Sequence, residues 1–154
     1  MSVPKSIHES KGLWRGTSKL NLSELPPDKR VSESNSSLHI DTDEQNSYAT
    51  VAYDWKYEGK RQEGTILICK SSASPTVQFA WVDSWHQNSA VMHLTGQDTE
   101  SDSVKAKGTY QAGKEIWGWT IALHFSSDQL ILKMENVTPA GEPEWAVEAS
   151  YKRD

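Results

Sequence analysis

Two stretches decide the fold: Ile116-Trp117-Gly118-Trp119-Thr120-Ile121-Ala122-Leu123-His124-Phe125, and, after the turn Ser126-Ser127-Asp128, Leu130-Ile131-Leu132-Lys133-Met134-Glu135-Asn136-Val137. Trp117, Trp119, Ile121, Leu123 and Phe125 recur at every second position, the period of a strand with one face turned to a core. A third stretch, Trp145 to Tyr151, follows Thr138-Pro139-Ala140-Gly141 and alternates Trp145, Val147, Ala149 and Tyr151 with Ala146, Glu148 and Ser150. That pattern predicts a sheet with one dry and one wet side.

Working outward, the same period predicts strands over Leu13 to Leu22, Leu38 to Asp43, Tyr48 to Tyr57, Gln62 to Lys70, Val77 to Asp83, Ala90 to Gln97 and Val104 to Gln111, making about ten in all. Ser23 to Ser37 is polar and carries Pro26-Pro27, so it reads as a loop or lid. Ile66-Leu67-Ile68-Cys69 is continuously apolar and predicts burial on both faces. Glu58-Gly59-Lys60, Ser71 to Pro75, Trp85 to Asn88 and Ala112-Gly113-Lys114 read as reversals. Residues 1–11 form a separate N-terminal segment, in which Val3 and Ile7 allow at most one helical turn against a barrel end.

Short turns between successive strands make an up-and-down meander, and a meander of this length removes its exposed edges by closing. The expected fold is therefore an all-β, up-and-down antiparallel barrel over residues 12–154, preferred to a Greek-key sandwich. Seven tryptophans and five tyrosines, largely on the alternating apolar positions, are bulky enough to wall a cavity and bring N–H and O–H groups for a ligand. On this reading Tyr53, Trp55, Trp81, Trp119, Met134 and Trp145 line the interior, and Asp83 or His93 orients the polar end of the guest.

The composition narrows the partners. A net charge of −5 gives no basic face for nucleic acid or an anionic membrane. Cys69 is the only cysteine, so neither an internal disulfide nor a cysteine zinc site is expected, and the polar first eleven residues lack the apolar core of a secretory leader. The expected setting is cytoplasmic, as a monomer or homodimer. No histidine pair has metal-ligand spacing, no phosphate loop or nucleotide fingerprint occurs, and no cofactor is called for. Asp83-Ser84-x-His86 offers the residue types of a hydrolytic triad, yet neighbouring strand residues point to opposite faces, so a catalytic set is not expected there.

Gly12-Leu13-Trp14 at the start of the first strand resembles the Gly-x-Trp of the calycin superfamily of lipocalins and fatty-acid-binding proteins, and Tyr151-Lys152-Arg153 resembles its closing basic stretch. The order Gly12-x-Trp14-x-Gly16, Glu63-Gly64, Trp81-Val82-Asp83-Ser84, Gly108-x-Tyr110 and Tyr151-x-Arg153 is similar to an uncharacterised bacterial calycin-like family. The resemblance implies the barrel, with the Arg153 guanidinium packed across Trp14. The expected function is binding of a small hydrophobic or amphipathic molecule. Two alternatives stand beside it: a barrel enzyme, either a cofactor-free isomerase or haem-dependent through His93 or His124, and an interaction barrel with a filled core.

Overall fold

Alternation carries through into burial: along Ala49–Tyr57, Ala49, Val51, Tyr53 and Trp55 are buried while Ala52 and Lys56 are exposed. The computed structural model describes residues 3–87 and 89–154; Met1, Ser2 and Asn88, the last residue of the expected reversal at Trp85 to Asn88, lie outside the described residues. Ten strands follow one another: β1 (Gly12–Asn21), β2 (Val31–Thr42), β3 (Ala49–Tyr57), β4 (Lys60–Lys70), β5 (Thr76–Asp83), β6 (Met92–Gln97), β7 (Ser103–Ala112), β8 (Glu115–Phe125), β9 (Gln129–Val137) and β10 (Pro143–Arg153). Each pairs antiparallel with its neighbour in sequence, and β1 pairs with β10, so the sheet closes into a barrel.

One end of the barrel is plugged. The turn of helix α1 (Lys5–His8) places Ile7, with Val3 before it, in the hydrophobic core. The Trp14 indole N–H donates to the Ser10 carbonyl at 2.9 Å, and Arg153 donates to the Lys11 and Glu9 carbonyls at 2.7 and 3.1 Å. Because the guanidinium also lies over the Trp14 ring, the N-terminal segment is bound to the last strand, as the basic closing stretch implied. The opposite end gathers the β1–β2, β3–β4, β5–β6, β7–β8 and β9–β10 connections.

Three expectations about individual segments are corrected. The loop expected over Ser23 to Ser37 ends at Arg30: β2 begins at Val31 and pairs with β1 all the way from Asn21↔Val31 to Gly12↔Ile40. Ser32 to Ser37 are held in a strand by ladder bonds to β1 rather than by their own hydrophobicity, which propensity alone does not reveal. The continuous apolar run of β4 is buried on one face only, since Ile66 and Ile68 are fully buried while Leu67 is 40% exposed and Cys69 is exposed. In β10, the register shifts between Trp145 and Val147. Val147 pairs with the buried Met134, but Trp145 pairs with Glu135 and Glu144 with Asn136. This bulge moves Trp145 off the inward row of Val147, Ala149 and Tyr151, and leaves it half-buried outside the core cluster.

Candidate ligand site

The site grows from one cross-strand row at the unplugged end. Tyr53 on β3 pairs with Gly64 on β4, which pairs with Asp83 on β5. With no side chain on the middle strand, the Tyr53 ring leans across it and its hydroxyl donates to Asp83 Oδ2 at 2.5 Å. A Cβ at Gly64 would stand 2.2 Å from that hydroxyl oxygen. Trp81, two residues before Asp83 and on the same face, donates its indole N–H to the Tyr53 hydroxyl at 2.8 Å. The result is a buried relay, Trp81 to Tyr53 to Asp83.

A second glycine opens the facing wall. Trp119 on β8 pairs with Gly108 on β7, so its indole has no neighbouring side chain there and stacks on Trp81 with centroids 5.2 Å apart and planes 13° from parallel. A Cβ at Gly108 would come within 2.7 Å of the His93 carbonyl and 3.3 Å of the Met92 side chain. β6 and β7 pair through only Thr95↔Lys107, Gly96↔Ala106 and Gln97↔Lys105, so the ladder stops short of the site on this side.

The β5–β6 turn then caps the cluster. Asp83 Oδ1 accepts from the backbone amides of Trp85 at 2.7 Å and His86 at 2.8 Å, and His86 Nδ1 lies 3.2 Å away. This tight turn folds the His86 ring back over the barrel, with its centroid 6.1, 6.0 and 5.3 Å from Trp55, Trp81 and Trp119. Trp85 packs edge-on against Trp55 and tilts onto Tyr57. The Trp119 Nε1–H is buried and, among the described residues, has no hydrogen-bond partner. An orphan indole donor in such surroundings is unfavourable by roughly 1–3 kcal/mol unless something accepts from it.

The electrostatics follow from burial and these bonds. Burial alone would raise the Asp83 carboxyl, but the His86 hydrogen bond and charge, the Tyr53 hydroxyl and the His86 amide outweigh it and hold the group below its ordinary value. Tyr53 is pushed well above the usual phenol by burial and by the Asp83 charge. The site therefore holds a buried carboxylate beside a neutral phenol. At the same end, Tyr110 donates to Asn136 Oδ1 at 2.5 Å; burial raises its hydroxyl, and the charge of Glu144, carried there by the β10 bulge, raises it further.

Of the residues expected on the wall, Tyr53, Trp55, Trp81, Asp83 and Trp119 meet in this cluster. Met134 is buried between Ile121 and Val147, further down the barrel, and Trp145 sits at the bulge opposite Glu135. His93 is exposed on the outer face, its Nε2 3.1 Å from Gln78 Oε1, and cannot orient an internal ligand; His124 is exposed as well. Neither outward histidine reaches an iron held inside. Asp83 and His86 do come together, but the Ser84 hydroxyl donates away to Gln62 and accepts from the Glu63 amide, so no triad forms. The residue missed in the wall was His86, whose signal was an aspartate opening a tight turn with a ring three positions on.

A groove of about 790 Å3 runs along the outer face instead. Its floor is the registered row Leu13, His39, Ala52, Thr65 and Val82, the solvent sides of β1 to β5. Tyr53, Asp83 and Trp85 also line it, whereas Trp55, Trp81, His86 and Trp119 do not. Among the described residues no group of three or more metal-ligating side chains occurs, and no helix is long and apolar enough to cross a membrane.

The model of the family described as a protein of unknown function, DUF1579, matches residues 4–153. The chain is a member of DUF1579. Within this family's frame, two solved structures share the barrel. Rv2717c from M. tuberculosis is 12% identical, with 99% of each chain covered and a TM-score of 0.67. The S-type phycobiliprotein lyase CPES from Guillardia theta is 15% identical, covering 100% of this chain and 93% of its own, with a TM-score of 0.54. At these identities the likeness establishes a common fold. No protein of curated function matches the sequence.

Proposed function

We propose that this DUF1579 chain is a cytoplasmic small-molecule binding module, whose hydrophobic or amphipathic guest enters the unplugged end of the barrel and rests against Trp55, Trp81 and Trp119. The observation that carries the reading is the buried Trp119 Nε1–H, without a partner among the described residues, set among aromatic rings and next to a ready-made carboxylate relay. Buried polar groups are normally satisfied, and an orphan at a ring-lined barrel end is the mark of a site awaiting an acceptor. Asp83 and Tyr53 orient the polar part, and the plugged end supplies rigidity without taking part. That a barrel of this shape serves as a phycobiliprotein lyase supports the idea that the scaffold carries a site as well as a core.

Native mass spectrometry of the purified chain tests the proposal. A second mass that leaves on denaturation, and that is lost in Trp119→Ala, is expected. Bare chain in every preparation, together with no change in tryptophan emission across a panel of amphipathic probes, refutes it.

A further inference from the structure

We infer that the guest of this site carries an organic cation, whose place the His86 ring now occupies. The inference rests on the ligand-site reading above and names its chemistry. Three indoles and one buried carboxylate converge on a single position. The His86 ring centroid lies 5.3 to 6.1 Å from three tryptophan ring centroids, and its Nδ1 is 3.2 Å from Asp83 Oδ1. Indole faces attract cations placed within about 6 Å of their centroids, and aromatic cages of this kind hold quaternary ammonium groups.

The spacings are those of ordinary tilted aromatic contacts. The His86 ring is tilted 38° to 50° to each indole, lying flat on none of them. A position bordered by three indoles and a carboxylate, with the imidazole flat on none of them, also suits a rounded, polarisable cation. The carboxylate argues the same way. The Asp83 side chain is 1% exposed, and the one basic side chain in contact with it among the described residues is His86. A carboxylate taken out of water is strongly unfavourable unless a positive group accompanies it.

The turn allows the exchange. The backbone of residues 84–87 is tied down separately, by the Trp85 and His86 amides on Asp83 Oδ1 and by the Gln87 amide on the Asp83 carbonyl. The imidazole can therefore rotate out about its own side-chain torsions while the turn stays in place. What the ring leaves unmet is the Trp119 N–H, so the guest's cation stands near a hydrogen-bond acceptor such as a hydroxyl or ester oxygen. The net charge of −5 favours the approach of cations from a distance.

Choline and its uncharged isostere, with carbon in place of the quaternary nitrogen, are the probes. Each is titrated by calorimetry and tryptophan fluorescence into the full wild-type chain and into His86→Ala. His86→Ala is expected to bind choline about tenfold more tightly than the isostere, and wild type more weakly than the variant, because its own ring must first leave. Equal binding of the two probes overturns the cation while the ligand site stands. Binding of neither probe to either chain overturns the cation and counts against the site itself. If near-ultraviolet circular dichroism shows that His86→Ala has not folded, His86→Gln gives the same comparison.

Discussion

The guanidinium carbon of Arg153 stands 4.5 Å from the centroid of the Trp14 ring, so the last strand and the first lock together face to face over the plugged end. The same guanidinium donates to two carbonyls of the N-terminal segment. Arg153→Met keeps some of the packing but loses the cation and both hydrogen bonds. It is expected to lower stability by about 1–2 kcal/mol, measured by urea unfolding; an unchanged midpoint would show the contact to be ornamental.

Gly64→Ala tests the relay. The added methyl would overlap the Tyr53 hydroxyl and approach Asp83 Oδ2 to 2.9 Å, so one of the three must shift. Overpacking of this kind destabilises by about 1–3 kcal/mol. The ring carbon that bears the hydroxyl would also stand 2.4 Å from the methyl, so Tyr53→Phe is expected to leave part of the penalty of the alanine in place, and the part it removes in a double-mutant cycle reports the hydroxyl.

Trp81 and Trp119 stack on one another, yet only Trp81 has a partner for its N–H. Trp81→Phe strands the Tyr53 hydroxyl without its donor, whereas Trp119→Phe removes an orphan. The first substitution is expected to cost about 1 kcal/mol more than the second, by thermal or urea unfolding, and the reverse order would contradict the assigned bonding.

Much of this could be read in the residues beforehand. The alternation in β3, β8 and β9 was legible because one face of each is packed and the other wet, so hydrophobicity records the pleat. Ser32 to Ser37 hid because their strand is made by β1's ladder, and serine carries no sign of a neighbour's backbone. Trp145 was misplaced because a single extra residue in β10 exchanges the two faces, and no local residue type announces that. His93 sits on a strand whose two faces are both mixed in the sequence, whereas its exposed position is settled by pairing with Ala80. His86 belongs to a turn, where alternation has nothing to say.

Alkaline stability should depend on Tyr151. Burial pushes its hydroxyl up to about 12, the Ser36 hydrogen bond pulling the other way and the Asp54 charge adding to the rise. The unfolded chain releases this proton from about pH 10 while the folded chain keeps it. Its contribution is complete below pH 10 and is lost as the pH rises toward 12, at up to about 1.4 kcal/mol per unit. Tyr151→Phe removes that slope from a plot of unfolding free energy against pH; an identical slope in the variant would assign the loss elsewhere.

Acid behaves oppositely at Asp83. Its folded carboxyl titrates below the ordinary value, so its stabilisation is present above about pH 4 and fades as the pH falls through the folded value. Asp83→Asn is expected to be less stable than wild type at neutral pH and to converge on it in acid. A gap that stays constant down to the acid limb would mean that the carboxylate's charge contributes nothing.

The extra residue in β10 makes the rim's curvature adjustable by length alone. Deleting Ala146 would restore an unbroken ladder with Trp145 still opposite Glu135 and Glu144 still opposite Asn136, so the two faces would keep their occupants and only the local kink and extra twist would go. Losing that one codon would alter the curvature of the doorway, and so the span open to a guest, while leaving its chemistry as it is.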